Sequence, residues 1–194
     1  DRREVQRKIE AIKKTLPTKN LPNVYLLHGE FSDEEMNELY NHKKVKAMVS
    51  LTKGEGFGRP LLEFSLTNKP IITTGWSGHV DFLKPEFTAL VGGKLSNVHP
   101  SAANDFLLKE AQWFDADHGH VGHFINDFYS NYKEWKVKGK RQGFYSRTKF
   151  GFENMKTQIE EYFTKYLSSI PEQVELQMPN LNEIKLPKRK KVNG

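Results

Sequence analysis

Two glutamates and a short run of glycines form the densest group of residues whose types and spacing suit ligand chemistry. Glycines alternate with other residues over positions 54–58, Glu55 lies among them, and Glu63 follows eight residues after Glu55. The apolar run 46–51 precedes the glycines, and Pro60 stands where the first turn of a helix would begin. This pattern predicts a strand, a glycine loop and a helix, in which loop amides and the positive helix end face an anion.

Carboxylates beside an anion site are unfavourable unless the ligand also brings hydroxyl groups that donate to them. A ligand with phosphates for the loop amides and hydroxyls for Glu55 and Glu63 has the chemistry of a nucleotide-sugar. In the alternative interpretation, Glu63 only complements the helix dipole and the glycines only form a tight turn. Spacing by itself leaves both interpretations open, because a glycine-rich loop alone is a weak signal.

The segment from Glu55 to Glu63 closely resembles the Glu-x7-Glu motif of the retaining glycosyltransferases of family 4 and their relatives. The intervening Gly56, Phe57, Gly58 and Pro60 also resemble that motif. Residues 68–75 are similar to the strand that follows it in the family, and residues 75–81 are similar to the next loop. The resemblance covers about residues 23–167 and implies the C-terminal, donor-binding half of a GT-B fold.

The resemblance also implies roles for individual residues. Glu63 would accept hydrogen bonds from the ribose hydroxyls, while Glu55, the catalytic candidate, would face the transferred sugar. The loop at residues 29–31 would flank the base and residues 75–79 would close the other side. The implied donor site comprises Gly54, Glu55, Gly56, Phe57, Gly58, Glu63, Gly29, Glu30, Phe31, Gly78 and His79.

The implied reaction moves a hexose from a nucleotide-sugar to a sugar, lipid or protein acceptor with retention of configuration. The donor would be a UDP- or GDP-hexose, used without a cofactor or a metal ion. In the family, an Arg/Lys pair at and just after the first strand of this domain clamps the diphosphate. Because residue 1 falls after that strand in the comparison, no residue of this chain is assigned to the clamp, and the acceptor-binding N-terminal domain is expected elsewhere in the enzyme.

Composition limits the remaining possibilities. A length of 194 residues suits one domain with an appendage, and the chain is expected to be a piece of a longer protein because it opens at Asp1 within a helical pattern. No apolar run approaches the ~20 residues of a membrane span. The absence of cysteine excludes disulfides and thiolate chemistry and fits a reducing compartment. The expected location is therefore the cytoplasm, and peripheral attachment to a membrane is the alternative that stays open.

The formal net charge of +6 is unevenly distributed. Residues 133–149 hold seven Lys or Arg against one Glu, and residues 171–194 hold five basic against three acidic residues. The prediction is a nearly neutral donor-binding domain over residues 1–170, lacking its first strand, followed by an irregular basic tail over 171–194. The expected partner of the tail is an acidic protein or an anionic membrane surface.

Hydrophobic periodicity predicts an α/β fold, a Rossmann-like parallel sheet with flanking helices and a helical C-terminal region. Beyond Gly93 the pattern is mainly helical, with residues 103–110 left as helix or irregular chain. The predicted strands are residues 24–28, 46–51, 70–73 and 88–91. The predicted helices are residues 2–16, 33–40, 60–67, 79–83, 118–132, 135–148 and 152–166.

Other interpretations compete with glycosyl transfer. A nucleotide-sugar epimerase or a phosphorylase could use the same scaffold. A nucleic-acid-binding module could use the basic helix at 133–149, which carries Trp135, Phe144 and Tyr145, together with the tail. A metal site could draw on the cluster of Asp and His over residues 115–123, although Asp117 is better placed as a helix N-cap.

Overall fold

A computed structural model of the chain describes residues 1–18, 20–167 and 169. The chain divides into two compact units, residues 1–148 and residues 149–194. Along the chain the elements are α1 Arg2–Thr15, α2 Asp33–Asn41, β1 Met48–Ser50, α3 Arg59–Ser65, β2 Ile71–Thr74, a 3-10 turn Gly78–Asp81, β3 Ala89–Val91, β4 Gly93–Asn97, a 3-10 turn Pro100–Ala102, β5 Gln112–Ala116, α4 His118–Ser130, α5 Tyr132–Lys149 and α6 Phe152–Leu167.

The main sheet of the first unit is parallel, as predicted. Its order is β1-β2-β3, with Met48 beside Ile71 and Ile72 beside Ala89. The fold is therefore mixed α/β with a three-stranded parallel sheet. No helix among the described residues is both long enough and apolar enough to cross a lipid bilayer.

The sheet is covered on both faces because successive residues of a strand point to opposite sides. Ile72 joins one apolar cluster, and its neighbour Ile71 joins the other. The first cluster receives side chains from α4 and α5 and consists of Ile72, Ala89, Val91, Val121, Phe128 and Trp135. The second receives side chains from α3 and from the segment after the first 3-10 turn, and consists of Leu61, Phe64, Ile71, Phe82 and Leu83.

The predicted strand at residues 24–28 is wrong. These residues form no regular element, and Val24, Tyr25 and Leu27 expose 52%, 82% and 59% of their surface. A short apolar run becomes a strand only where a neighbouring strand offers hydrogen-bond partners. Among the described residues no strand pairs with this segment, so its large apolar side chains remain mostly exposed.

The helical pattern expected beyond Gly93 is also wrong up to residue 116. An antiparallel hairpin occupies this region, in which β4 pairs with β5 and Leu95 lies opposite Phe114. Strand β4 carries only one large apolar residue, so its sequence has little hydrophobic periodicity. Its pairing partner, β5, follows only after a long connection. The pairing of the two strands determines the structure here, and it cannot be predicted from the local sequence pattern.

Helix α5 confirms the predicted basic helix but changes the interpretation of its glycines. Glycine inside a helix usually weakens it, yet Gly139 and Gly143 are both buried at close contacts. A Cβ at Gly139 would lie 2.8 Å from the carbonyl carbon of Lys69, and one at Gly143 would lie 2.7 Å from the carbonyl oxygen of Ser65. Between them, the buried Gln142 amide donates to the Phe82 carbonyl at 2.7 Å. The glycines therefore let α5 pack directly on neighbouring backbone.

The second unit contains α6, which confirms the predicted last helix. None of its described residues is buried, and its apolar residues Met155, Ile159, Tyr162 and Phe163 are exposed. The predicted basic tail at residues 171–194 lies outside the described residues.

Candidate functional site

The candidate site lies at the carboxyl edge of the parallel sheet. Because β1, β2 and β3 run in the same direction, the segments that follow them emerge at one edge. These segments are the glycine loop at residues 51–58, the loop at residues 75–79, and Gly92 with Gly93. Ligands of open α/β sheets bind in this position.

Hydrogen bonds from Ser77 and Gly78 fix the glycine loop against the second loop. The Ser77 hydroxyl accepts from the Glu55 amide at 2.9 Å and donates to the Glu55 carbonyl at 2.6 Å. The Gly78 amide donates to the same carbonyl at 3.0 Å. The Glu55 main chain is thus held at three points, while its carboxylate has no hydrogen bond or ion pair among the described residues.

The predicted site glycines make this contact sterically feasible. A Cβ at Gly78 would lie 2.1 Å from the Gly56 carbonyl oxygen, so only glycine fits there. Gly58 adopts φ of 87° as the N-cap of α3, and a Cβ there would lie 2.9 Å from the Cβ of His79. The structure therefore brings residues 54–58 together with Gly78 and His79.

His79 lies beneath this junction and has no exposed surface. Its Nε2 lies 2.6 Å from the Thr74 carbonyl, so Nε2 carries the proton and donates. Nδ1 is then an acceptor, and it is buried without a partner among the described residues. The imidazole supports the junction from within and is not presented to solvent.

Glu63 lies in a cleft between α2 and α3, whose described lining does not include Glu55. Its carboxylate pairs with the Arg59 side chain, one helical turn earlier, at 2.9 Å. The cleft measures about 430 Å³, a volume that suits a small ligand. Burial and the Glu63 charge raise the pKa of Tyr40, which shares the cleft. The two glutamates of the motif thus lie on different parts of the loop-helix unit, Glu55 in the loop and Glu63 in α3 beside the cleft.

The loop Gly29-Glu30-Phe31 is exposed and leads into α2. Gly29 adopts φ of 142°, a conformation that favours glycine. Ser32 then starts α2 with a capping box, in which its hydroxyl accepts from the Glu35 amide and the Glu35 carboxylate accepts from the Ser32 amide. The loop therefore adjoins the helix that forms one wall of the Glu63 cleft.

The hairpin contributes a group of side chains to the site that the sequence did not predict. Lys53, at the start of the glycine loop, forms an ion pair with Asp115 and lies 4.5 Å from the ring centroid of Trp113. The hydrogen bond from Lys53 lowers the pKa of Asp115. Trp76 stacks on Phe114 with ring centroids 6.0 Å apart. Trp113 and Asp115 alternate along one strand, a signal that is readable only once β5 is recognised.

The Asp and His cluster of residues 115–123 has other partners in the structure. Asp117 caps α4, accepting from the Gly119 and His120 amides at 2.8 and 3.1 Å. His120 accepts through Nδ1 from the Gly92 amide at 3.0 Å. Within residues 1–18, 20–167 and 169, no three His, Asp or Glu side chains are grouped as metal ligands.

A comparison of the sequence with protein-family models and with curated proteins gives no match.

Proposed function

We propose that this chain is the donor-binding part of a retaining glycosyltransferase of the GT-B type, which transfers a hexose from a nucleotide-sugar. The observation that carries the proposal is the fixed glycine loop at the carboxyl edge of the parallel sheet. Ser77 and Gly78 hold the Glu55 main chain in place and leave its carboxylate available. A preorganised loop of this kind positions a charged ligand without ordering cost at the moment of binding.

The open edge of β1 supports the proposal that the three strands belong to a larger, Rossmann-like sheet. In a doubly wound sheet of order 3-2-1-4-5-6, two strands separate the third from the fourth. If β1, β2 and β3 correspond to the fourth, fifth and sixth strands of such a sheet, residues 24–28 stand in the place of the third strand, whose hydrogen-bond partner would be the second strand and not β1. This assignment accounts for the exposure of residues 24–28 and for the open edge of β1, which pairs only with β2 among the described residues.

In the proposed reaction the protein mainly positions the donor and stabilises charge. Glu63 accepts from the ribose hydroxyls in the cleft between α2 and α3, and Glu55 accepts from hydroxyls of the transferred hexose. The Arg59–Glu63 pair is no obstacle, because both side chains are substantially exposed and such pairs are worth only ~0–1 kcal/mol. Ribose hydroxyls can therefore replace the guanidinium.

The test is a calorimetric titration of the chain with UDP- and GDP-hexoses, comparing Glu63→Gln with Arg59→Gln. A hydrogen bond to a charged group is worth ~1.5–3 kcal/mol, so Glu63→Gln should weaken binding about ten- to a hundredfold. Arg59→Gln removes the same ion pair but keeps the carboxylate, so it should bind at least as well as the wild type. Equal affinity of Glu63→Gln and wild type contradicts the ribose assignment.

The nucleic-acid alternative loses one of its three stacking residues. Trp135 is buried against Phe128 and donates through Nε1 to Asp127 at 2.7 Å. It is therefore unavailable to a base, whereas Phe144 remains exposed. Salt-dependent retention on DNA separates the two functions, since counterion release gives nucleic-acid binding a steep salt dependence. The epimerase and phosphorylase alternatives are separated by identifying the products formed from the nucleotide-sugar.

A further inference from the structure

A second concave surface lies at the opposite, amino edge of the parallel sheet. Lys46 precedes β1 and Lys69 precedes β2, and α5 crosses beside them. Together with neighbouring residues they line a pocket of about 410 Å³. Five of its lining residues are lysines, namely Lys43, Lys46, Lys69, Lys136 and Lys140, and we call this surface the lysine pocket. Its described lining contains no Asp or Glu.

Three separate segments are tied together to form the lysine pocket. The Lys69 ammonium donates to the backbone carbonyls of Tyr40 and His42, the latter at 2.9 Å. The Tyr132 hydroxyl donates to the Lys46 carbonyl at 3.2 Å. Gly139 allows α5 to lie against the backbone of Lys69, which places Lys136 and Lys140 beside it. The pocket is thus built by tertiary contacts, whereas a solvated helix face has its charges on one element.

The positive charges of the lysine pocket are not neutralised. None of Lys43, Lys46, Lys136 and Lys140 takes part in an ion pair among the described residues. Burial, and next the charge of Lys46, lower the pKa of Lys69. Like charges held close together repel each other, and a bound anion relieves that repulsion.

We propose that the lysine pocket binds a compact anion that carries two or more neighbouring phosphate groups. Its concave shape and its volume suit a small ligand or a headgroup better than an extended polymer. Lysines contributed by three segments suit the oxygens of adjacent phosphates, because each lysine supplies a point charge with three donors. The site lies at the other edge of the sheet from the glycine loop and does not depend on the proposed transferase function.

The test is a calorimetric titration of the full chain with inorganic tripolyphosphate. The double variant Lys136→Gln/Lys140→Gln removes two charges from the pocket. The control Lys133→Gln/Arg141→Gln removes two exposed charges of the same helix from outside the pocket lining. Loss of two charge-assisted hydrogen bonds should weaken tripolyphosphate binding by about tenfold or more. The control should change it by less than about threefold, because exposed charges act through screened solvent.

Lys43→Gln, in the exposed turn after α2, tests a second wall of the pocket independently of α5. It should also weaken tripolyphosphate binding. Two results overturn the proposal: no binding of tripolyphosphate by the wild type, or an equal loss in the pocket variant and the control. The second result means that the positive charge acts diffusely.

Two further probes identify the source of the phosphates. Vesicles of phosphatidylcholine containing bisphosphorylated phosphatidylinositol should bind with the same dependence on Lys136 and Lys140 if the ligand is a lipid headgroup. If only tripolyphosphate binds, the ligand is a free polyphosphate, and either result supports the pocket. Binding of single-stranded DNA that tripolyphosphate does not displace, and that weakens equally in both double variants, overturns the proposal in favour of an extended nucleic-acid surface.

Discussion

Ser77 combines an unfavourable backbone conformation with two hydrogen bonds at the candidate site. Its φ of 80° and ψ of −170° lie in a region that is essentially restricted to glycine. Its hydroxyl nevertheless holds both the amide and the carbonyl of Glu55. The protein thus retains a strained serine where glycine is the easier residue, which fits a requirement for the hydroxyl.

Comparison of Ser77→Ala with Ser77→Gly separates these two effects. Both variants lose the hydroxyl, but only Ser77→Gly also relieves a backbone strain of ~1–3 kcal/mol. We therefore expect Ser77→Ala to be the less stable variant by about 1 kcal/mol in urea unfolding. Both variants should bind the donor more weakly than the wild type, because the loop is less ordered. A Ser77→Gly variant as unstable as Ser77→Ala would show that the conformation carries no strain.

Asp127 gives a pH-dependent contribution to stability. Hydrogen bonds from Asn131, and next from the Trp135 indole, lower the pKa of its carboxyl group. A carboxyl group with a lowered folded-state pKa stabilises the protein above its unfolded pKa of about 3.9, and this stability is lost as the pH falls through the folded pKa. We expect Asp127→Asn to lower the melting temperature at pH 7 and to lower it less below about pH 4.

The control for this measurement is Asp105→Asn, which changes an exposed aspartate in the connection between β4 and β5. It should leave the difference in melting temperature small at both pH values. A deficit of Asp127→Asn that stays constant from pH 7 to pH 3 would mean that its effect comes from packing and not from charge.

The sequence predicted the glycine loop and the helix after it, but not the orientation of the glutamates. A separation of eight residues places Glu63 on α3 without fixing which side of the helix meets α2. The pair with Arg59 and the cleft with Tyr40 depend on how α3 packs, which local spacing does not encode. In the same way, the burial of His79 follows from the close approach of two loops.

Replacing a glycine by alanine is expected to have opposite effects on stability in helices α4 and α5. Alanine is favoured over glycine inside a helix by ~1 kcal/mol. A Cβ added at Gly122 in α4 would meet open space, so Gly122→Ala should stabilise the protein by about this amount. Gly143→Ala should instead destabilise it, because its Cβ would meet the Ser65 carbonyl at 2.7 Å and the Asn68 side chain at 2.3 Å.

Urea unfolding of both variants checks this pair, and each serves as the control for the other. Overpacking usually costs ~1–3 kcal/mol, and both variants share the gain from replacing glycine inside a helix, so the two variants should differ by roughly 1–3 kcal/mol. A stabilised Gly143→Ala would mean that α5 can move away from the Asn68 turn without cost. It would also contradict the view that this glycine is required for packing.

Helices with strong caps were the elements that sequence predicted best. Asp117 caps α4 as its type and position indicated, and α2 begins at Ser32, a residue type that is favoured as a cap. These signals are local, because the cap and the amides that it binds lie within three residues. The failures at residues 24–28 and at the β4–β5 hairpin have the opposite cause. Strand formation depends on partners that are distant in sequence, so residues 24–28 looked like a strand and β4 did not.

At the scale of the whole first unit, the parallel sheet separates two chemical environments. The glycine loop, Glu55 and Ser77 lie at its carboxyl edge, whereas the lysine pocket lies at its amino edge. The net charge of +6 therefore describes neither edge by itself. A ligand at one edge need not exclude a ligand at the other, since the apolar core lies between them.

We expect the first unit to fold without helix α6. Both apolar clusters draw all their buried residues from positions 61–135, and no described residue of α6 is buried. The described buried residues of both clusters thus lie in the first unit, and a helix of 16 residues without buried side chains adds little to stability. We expect a chain ending at Gly151 to melt within about 4 °C of the full chain, which corresponds to roughly 1 kcal/mol.

A chain ending at Ile170 separates the predicted irregular tail from α6 and should melt at the same temperature as the full chain. A larger drop in the shorter chain alone would show that α6 stabilises the fold, and a drop in both would show that residues 171–194 do so. Circular dichroism at 222 nm measures all three chains.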